Sequence, residues 1–115
     1  MSRRRTAARA QTASYTAVGG QLFGASCAQC HGKRATGGAS APTLNSKEFL
    51  KNTSDNQIAA LVSGGVSGTD MPAWSLDYGG TFTGEQVRQL VTYIRSLEPN
   101  APSIPGWRQS AKAKP

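Results

Sequence analysis

Soft metal ligands are scarce here: two cysteines, one histidine and one methionine beyond Met1 in 115 residues. A closed structural zinc site takes about four N or S ligands, and an iron–sulfur cluster normally takes four cysteines. Neither can be built from one copy of this chain's Cys and His residues alone. No apolar run approaches the roughly 18 residues needed to cross a bilayer, so the chain is not itself a membrane anchor. No strand pattern precedes Cys27, which is where a thioredoxin-type redox pair would require one. Hydrophobic content of 37% with 13 Gly and 6 Pro gives a thin protein core for one small domain. Such a domain needs something else to pack against.

All the thiol and imidazole chemistry lies in one pentapeptide, Cys27-Ala28-Gln29-Cys30-His31. It reads C-x-x-C-H, the attachment signature of a c-type haem. Two thiols on one turn of backbone can add across the vinyl groups on one side of a porphyrin. The next residue then falls under the iron, where an imidazole is a proximal ligand. A dithiol redox pair or half of a shared metal site uses the same Cys spacing. The inventory and the absent strand favour haem. A covalently held porphyrin would also supply the missing apolar mass.

Charge is placed as unevenly as sulfur. The net charge is +7, yet residues 15–98 carry as many acids as bases. The excess lies in residues 1–14 (Arg3, Arg4, Arg5, Arg9) and residues 99–115 (Arg108, Lys112, Lys114), which hold no acid. Residues 1–14 lack the apolar h-region of about 7–15 residues that an export signal needs. Their composition also fits an organellar transit segment, but the preferred reading is a flexible basic tail touching anionic lipid or an acidic partner. Nucleic acid is not expected as a partner, because the tail lacks aromatics for base stacking. Residues 99–115 carry Pro99, Pro102, Pro105 and Pro115 and are expected to be extended, with no core of their own. Trp107 would strap this tail to its own domain or to a neighbour.

Between the tails, helical periodicity dominates. A helix is expected from Tyr15 into the Cys pair, with Val18, Leu22 and Phe23 at helical spacing. Gly19 and Gly20 mark a close crossing. Residues 32–41 read as a loop. A short helix opens at Asn45/Ser46 with Phe49 and Leu50 apolar. Ser54 to Gln57 is a capping box opening a helix to about Ser63, with Ile58, Leu61 and Val62 as its buried face. Asp77 to Thr81 is a turn. Thr83 to Gln86 is a second capping box, and the last helix runs to about Leu97 on a stripe of Val87, Leu90, Val91, Ile94 and Leu97. Its partner should be the first helix, crossing at Gly19 and Phe23 near Leu90 and Tyr93.

Three further residues belong to the site. A proximal imidazole needs a carbonyl for its second N–H, and Pro42 is the candidate because it has no N–H and a rigid φ. With one histidine, a protein-derived sixth ligand must be Met71, a terminal amine or a lysine. Met71 is preferred because it lies in an irregular, Gly-rich segment stiffened by Pro72. Trp74 is either a core plug or a cover whose indole N–H reaches a haem propionate.

From about Tyr15 to Leu97 the sequence resembles the class I cytochromes c. It matches at Gly19, Phe23, Cys27 to His31, Pro42, Met71-Pro72, Leu90 and Tyr93. The resemblance implies an all-α class I cytochrome c fold, about four helices around one covalent haem c. It implies thioethers at Cys27 and Cys30, His31 and Met71 as axial ligands, and a Pro42 carbonyl bond to His31. The interval of 40 residues from His31 to Met71 resembles the short bacterial and algal members. Met71-Pro72-Ala73-Trp74 is similar to haem domains of bacterial respiratory complexes.

The expected function is therefore electron carriage, not catalysis. One electron would pass from a donor such as a quinol-oxidising complex to an oxidase or photosynthetic reaction centre. The neutral body and basic tails suggest a bound subunit of a multi-subunit membrane complex, held through the tails and Trp107. The alternatives are a free shuttle, or an open-site sensor or peroxidase if Met71 is not a ligand. The expected place is the periplasmic, or equivalent positive, side of an energy-transducing membrane, with no recognisable export signal in the chain.

Overall fold

The computed structural model of the chain describes residues 3–38 and 41–109, with side chains in the first helix described from Ala7 onward. Residues 3–18 contain neither Gly nor Pro and are rich in Ala and Arg, both good helix formers. Helix α1 accordingly runs Arg3–Ser26, about 36 Å at 1.5 Å per residue. This corrects the expected start at Tyr15: the backbone of the basic tail is helical from Arg3. It has no apolar stripe to signal it, and residues 7–14 are exposed throughout. Thr12 and Thr16 donate their hydroxyls back to the carbonyls of Ala8 and Thr12, both at 2.9 Å.

The remaining helices are α2 (Ala28–His31), α3 (Lys47–Asn52), α4 (Asp55–Gly64) and α5 (Gly84–Ser96), with 3-10 turns at Lys33–Ala35, Leu76–Tyr78, Glu98–Asn100 and Trp107–Gln109. Among the described residues there is no strand, only one isolated bridge between Ser75 and Phe82. Both capping boxes form. Ser54 accepts from the Gln57 amide at 3.1 Å and Thr83 from the Gln86 amide at 3.2 Å, and each glutamine reaches back to its cap. Ser46 caps α3 by accepting from the Phe49 amide at 3.2 Å.

The frame is the crossing of α1 and α5. A Cβ on Gly19 would overlap the Gln89 carbonyl and sit 2.9 Å from the Tyr93 Cβ, so only glycine lets the helices approach this far. Phe23 then packs on Tyr93, ring centroids 5.4 Å apart. Phe23, Leu50, Leu90 and Ile94 are fully buried, each contributing about 1.5–3 kcal/mol of apolar burial. Arg95 ties α5 to the α3–α4 connection: it donates to Asp55 at 2.7 Å, to Glu98 at 3.0 Å, and to the carbonyls of Leu50 and Thr53.

The C-terminal segment also departs from expectation. Residues 101–109 do not extend away; they fold back over α3. The Lys47 amide donates to the Pro102 carbonyl at 2.9 Å, and Ser46 Oγ to the Ile104 carbonyl at 3.0 Å. The Glu48 carboxylate accepts from the Ile104 amide at 2.7 Å and the Ser103 hydroxyl at 2.6 Å. Ala101 is buried in the core. The expectation of a coreless tail is therefore corrected as far as Gln109: three prolines make this stretch stiff, and a carboxylate 55 residues upstream gives it somewhere to land. Lys112, Lys114 and Pro115 lie outside the described residues.

Candidate functional site

Helix α1 delivers Cys27 to its own end. The Cys27 carbonyl then accepts from the amides of Cys30 (3.1 Å) and His31 (2.9 Å), so α2 is one tight turn carrying both thiols and the imidazole. Gly32, at φ +78, releases the chain from that turn. Burial, together with repulsion from the Cys30 thiol, pushes the Cys27 thiol up to about 11. It therefore stays neutral at physiological pH.

His31 is oriented by one bond. Its Nδ1 lies 2.9 Å from the Pro42 carbonyl, and since a carbonyl can only accept, Nδ1 carries the proton and Nε2 keeps its lone pair. Burial lowers the imidazole pKa, with the Pro42 bond acting in the opposite direction, so the neutral form is favoured. The carbonyl is itself held by a knot. Ala35, fully buried at φ +60, accepts through its carbonyl from Leu44 N–H (2.7 Å), Asn45 N–H (3.1 Å) and Thr43 Oγ1 (2.9 Å). The expected loop is thus partly a 3-10 turn whose purpose is to place residue 42.

Met71 is presented by a looser segment. Its carbonyl accepts from Val66 N–H at 3.1 Å and its amide donates to Thr69 Oγ1 at 3.2 Å. Gly65, at φ +70, lies under this segment; a Cβ there would be 2.7–2.8 Å from backbone atoms of Met71, Pro72 and Ala73. Trp74 follows, with its amide on the Val62 carbonyl at 3.0 Å and its ring stacked on Phe82, centroids 5.2 Å apart.

Cys27, Cys30, His31, Pro42, Met71 and Trp74 all border one cavity of about 550 Å³, within the usual 300–1,000 Å³ of a ligand pocket. Its walls are mostly apolar, with Leu44, Phe49, Ile58, Val62 and Ile94 among them. Leu61, expected in the buried core, is 43% exposed because it faces this cavity. The donor set is two thiols, one imidazole and one thioether in an apolar chamber. Among the described residues no group of three or more His, Cys, Asp or Glu could hold a bare metal ion. Soft donors around an apolar space fit a flat, hydrophobic, iron-bearing group.

Sequence reasoning missed Trp107 and Arg108, which also border the cavity. Of the two anchorages considered for Trp107, its own domain or a neighbour, the structure shows the first: the ring packs edge-on against Phe49 with centroids 4.7 Å apart and is half-buried. The proline spacing was the available signal: a stiff tail with one large aromatic is suited to folding back. The Trp74 ring leans on Phe82 and borders the cavity. Its indole N–H has no acceptor among the described residues.

An all-helical chain closing on such a cavity has the fold of a cytochrome c. The crystal structure of cytochrome CL from the marine methylotroph Methylophaga aminisulfidivorans superposes with a TM-score of 0.60, at 23% identity over 89% of this chain and 67% of that one. The profile of the family described as cytochrome C oxidase, cbb3-type, subunit III matches residues 15–94, and the chain belongs to this family. Its relatives include the cbb3-type cytochrome c oxidase subunit FixP of Sinorhizobium medicae, 34% identical over 83% of this chain and 34% of that protein. The CcoP subunit of Rubrivivax gelatinosus is 35% identical over 85% of this chain and 31% of its own length. The chain thus spans about a third of the relatives it matches. The cofactor of such a domain is one covalently bound haem c.

Proposed function

We propose that this chain is a one-electron relay of a membrane-associated oxidase complex. Cys27 and Cys30 would hold haem c through thioethers, with His31 and Met71 as axial ligands of its iron. When bound, the haem supplies a one-electron redox couple, and a methionine ligand sets it higher than a second histidine would. The observation that carries the reading is that both thiols, the Nε2-free imidazole and the chain's one internal methionine border the same apolar cavity.

The chain's own residues do the rest. The Pro42 carbonyl holds the His31 ring in one orientation and keeps its proton on Nδ1. The apolar walls exclude water, which keeps reorganisation on electron exchange small. Trp74 covers one border, and its unpartnered N–H is suited to a carboxylate on the haem periphery. A bound subunit is favoured over a diffusing shuttle because steering charge is absent from the body and concentrated at the ends. The relatives are named as oxidase subunits. The site would face the periplasmic, or equivalent positive, side of the membrane. Among the described residues no helix is long and apolar enough to cross a membrane.

The test is the near-infrared absorption of the oxidised holoprotein. A band from methionine bound to ferric iron is expected, and Met71→Ala should abolish it while the haem stays covalently attached. High-spin spectra in the unaltered protein would instead establish an open site. Co-purification with a multi-subunit oxidase, weakened when Arg3, Arg4, Arg5 and Arg9 are changed to Gln, tests the docking role of the basic end.

A further inference from the structure

The cavity has one cationic side chain on its border among the described residues, Arg108. It stands at the end of a built support. The guanidinium lies over the Trp107 ring, 4.6 Å from its centroid, and the ring edge meets Phe49, another cavity wall. The segment before it is held to α3 through the Lys47 amide, Ser46 and the Glu48 carboxylate. Residues 95–109 lie beyond the portion matched by the family profile, residues 15–94.

A haem is apolar except for two propionate carboxylates. The apolar walls have little to offer them, and the carboxylate on the border, Asp70, would repel them. A carboxylate near a hydrophobic chamber needs a cation or several N–H donors, and a guanidinium can supply two parallel ones. We propose that Arg108, carried by the strap of residues 101–109 and held over Trp107, is the positioning and charge-compensating partner of a haem propionate. The inference rests on the haem assignment made above.

The experiment compares holoprotein with Arg108→Gln, Arg108→Lys and Trp107→Phe by potentiometric titration across the pH range of propionate ionisation. Arg108 is exposed, so its replacement leaves the fold and the absorption spectrum intact. The expected result is a lower midpoint potential in R108Q, because a nearby positive charge disfavours the more positive ferric state. The break in the plot of potential against pH should also move to higher pH, because the carboxylate has lost its cation. R108K should recover most of both shifts. An unchanged potential and break in R108Q would overturn the proposal. So would a shift that R108K fails to recover and Trp107→Phe reproduces, which would make the strap a plain wall. Failure of the haem assignment itself would show earlier and separately, as the missing haem or methionine band in the unaltered protein.

Discussion

The His31 ring is held by a carbonyl that belongs to a knotted loop, whereas the Met71 thioether is carried by a segment whose hydrogen bonds close on itself and whose neighbours are mostly exposed. On the histidine side, one backbone oxygen, that of Ala35, gathers three donors from residues 43–45. On the methionine side, residues 66–70 are all exposed, and the bonds stay within the segment, among Val66, Thr69 and Met71. The difference suits the two proposed ligands. An imidazole must be aimed, because its lone pair is directional and its tautomer must be fixed. A thioether on three rotatable bonds can find its own position. One side is preorganised and the other adaptable, so damage to the two sides should read out differently.

The largest expected effect lies in the frame common to both sides. Leu90 is fully buried on α5, and Leu90→Ala should lower unfolding stability by about 2–5 kcal/mol, measured by denaturant titration of the holoprotein. A loss under about 1 kcal/mol would mean the α1–α5 crossing is not the foundation of the site. Next, Gly65→Ala forces a side chain into φ +70 and against the Met71–Ala73 backbone, at a cost of about 1–3 kcal/mol. Its signature should be local: the methionine band weakens while haem attachment and the Pro42–His31 bond persist. Global loss of stability with an intact band would erase the contrast between the sides.

Thr43→Val tests the histidine side. It removes the bond to the Ala35 carbonyl and the one accepted from Asn45 N–H. The expected loss is about 1–2 kcal/mol with the methionine band unchanged, read by thermal melting and near-infrared absorption together. The smallest effect belongs to the strap. The bonds from Ser103, and from Ile104 and Ser46, hold the Glu48 carboxyl below the ordinary glutamate value. Because the folded pKa is the lower one, its contribution is complete above the ordinary value of about 4.3 and fades as pH falls through the depressed one. Hydrogen exchange at the Ile104 amide should accelerate over that acid window in the native chain. In Glu48→Gln it should be faster already at neutral pH, with no such transition.

What could be read from sequence was what depends on near neighbours. The two capping boxes span four residues each, the C-x-x-C-H turn spans five, and the α5 stripe repeats within one helix. Even the crossing at Gly19 and Phe23 was legible, because a glycine notch one turn before an aromatic is a local pattern. The helical start at Arg3 was not, since a stretch without an apolar face carries no periodicity, and propensity alone is a weak prior. Leu61 looked like core for the opposite reason: it keeps the helical period but points at a cavity that the pattern cannot distinguish from protein.

The sequence by itself determined the chemistry of this protein. Its few sulfurs and its single imidazole, spaced as they are, favour a covalent haem and make His31 and Met71 the preferred iron ligands, a reading that rests on valence and count. Only the tertiary structure decided how the proposed ligands are held and what closes the cavity. The Ala35 knot that aims His31 and the Glu48 clasp that returns Trp107 and Arg108 to the cavity join positions 8–10 and 55–56 residues apart. Such pairings follow from how the whole chain packs, and no local propensity encodes them.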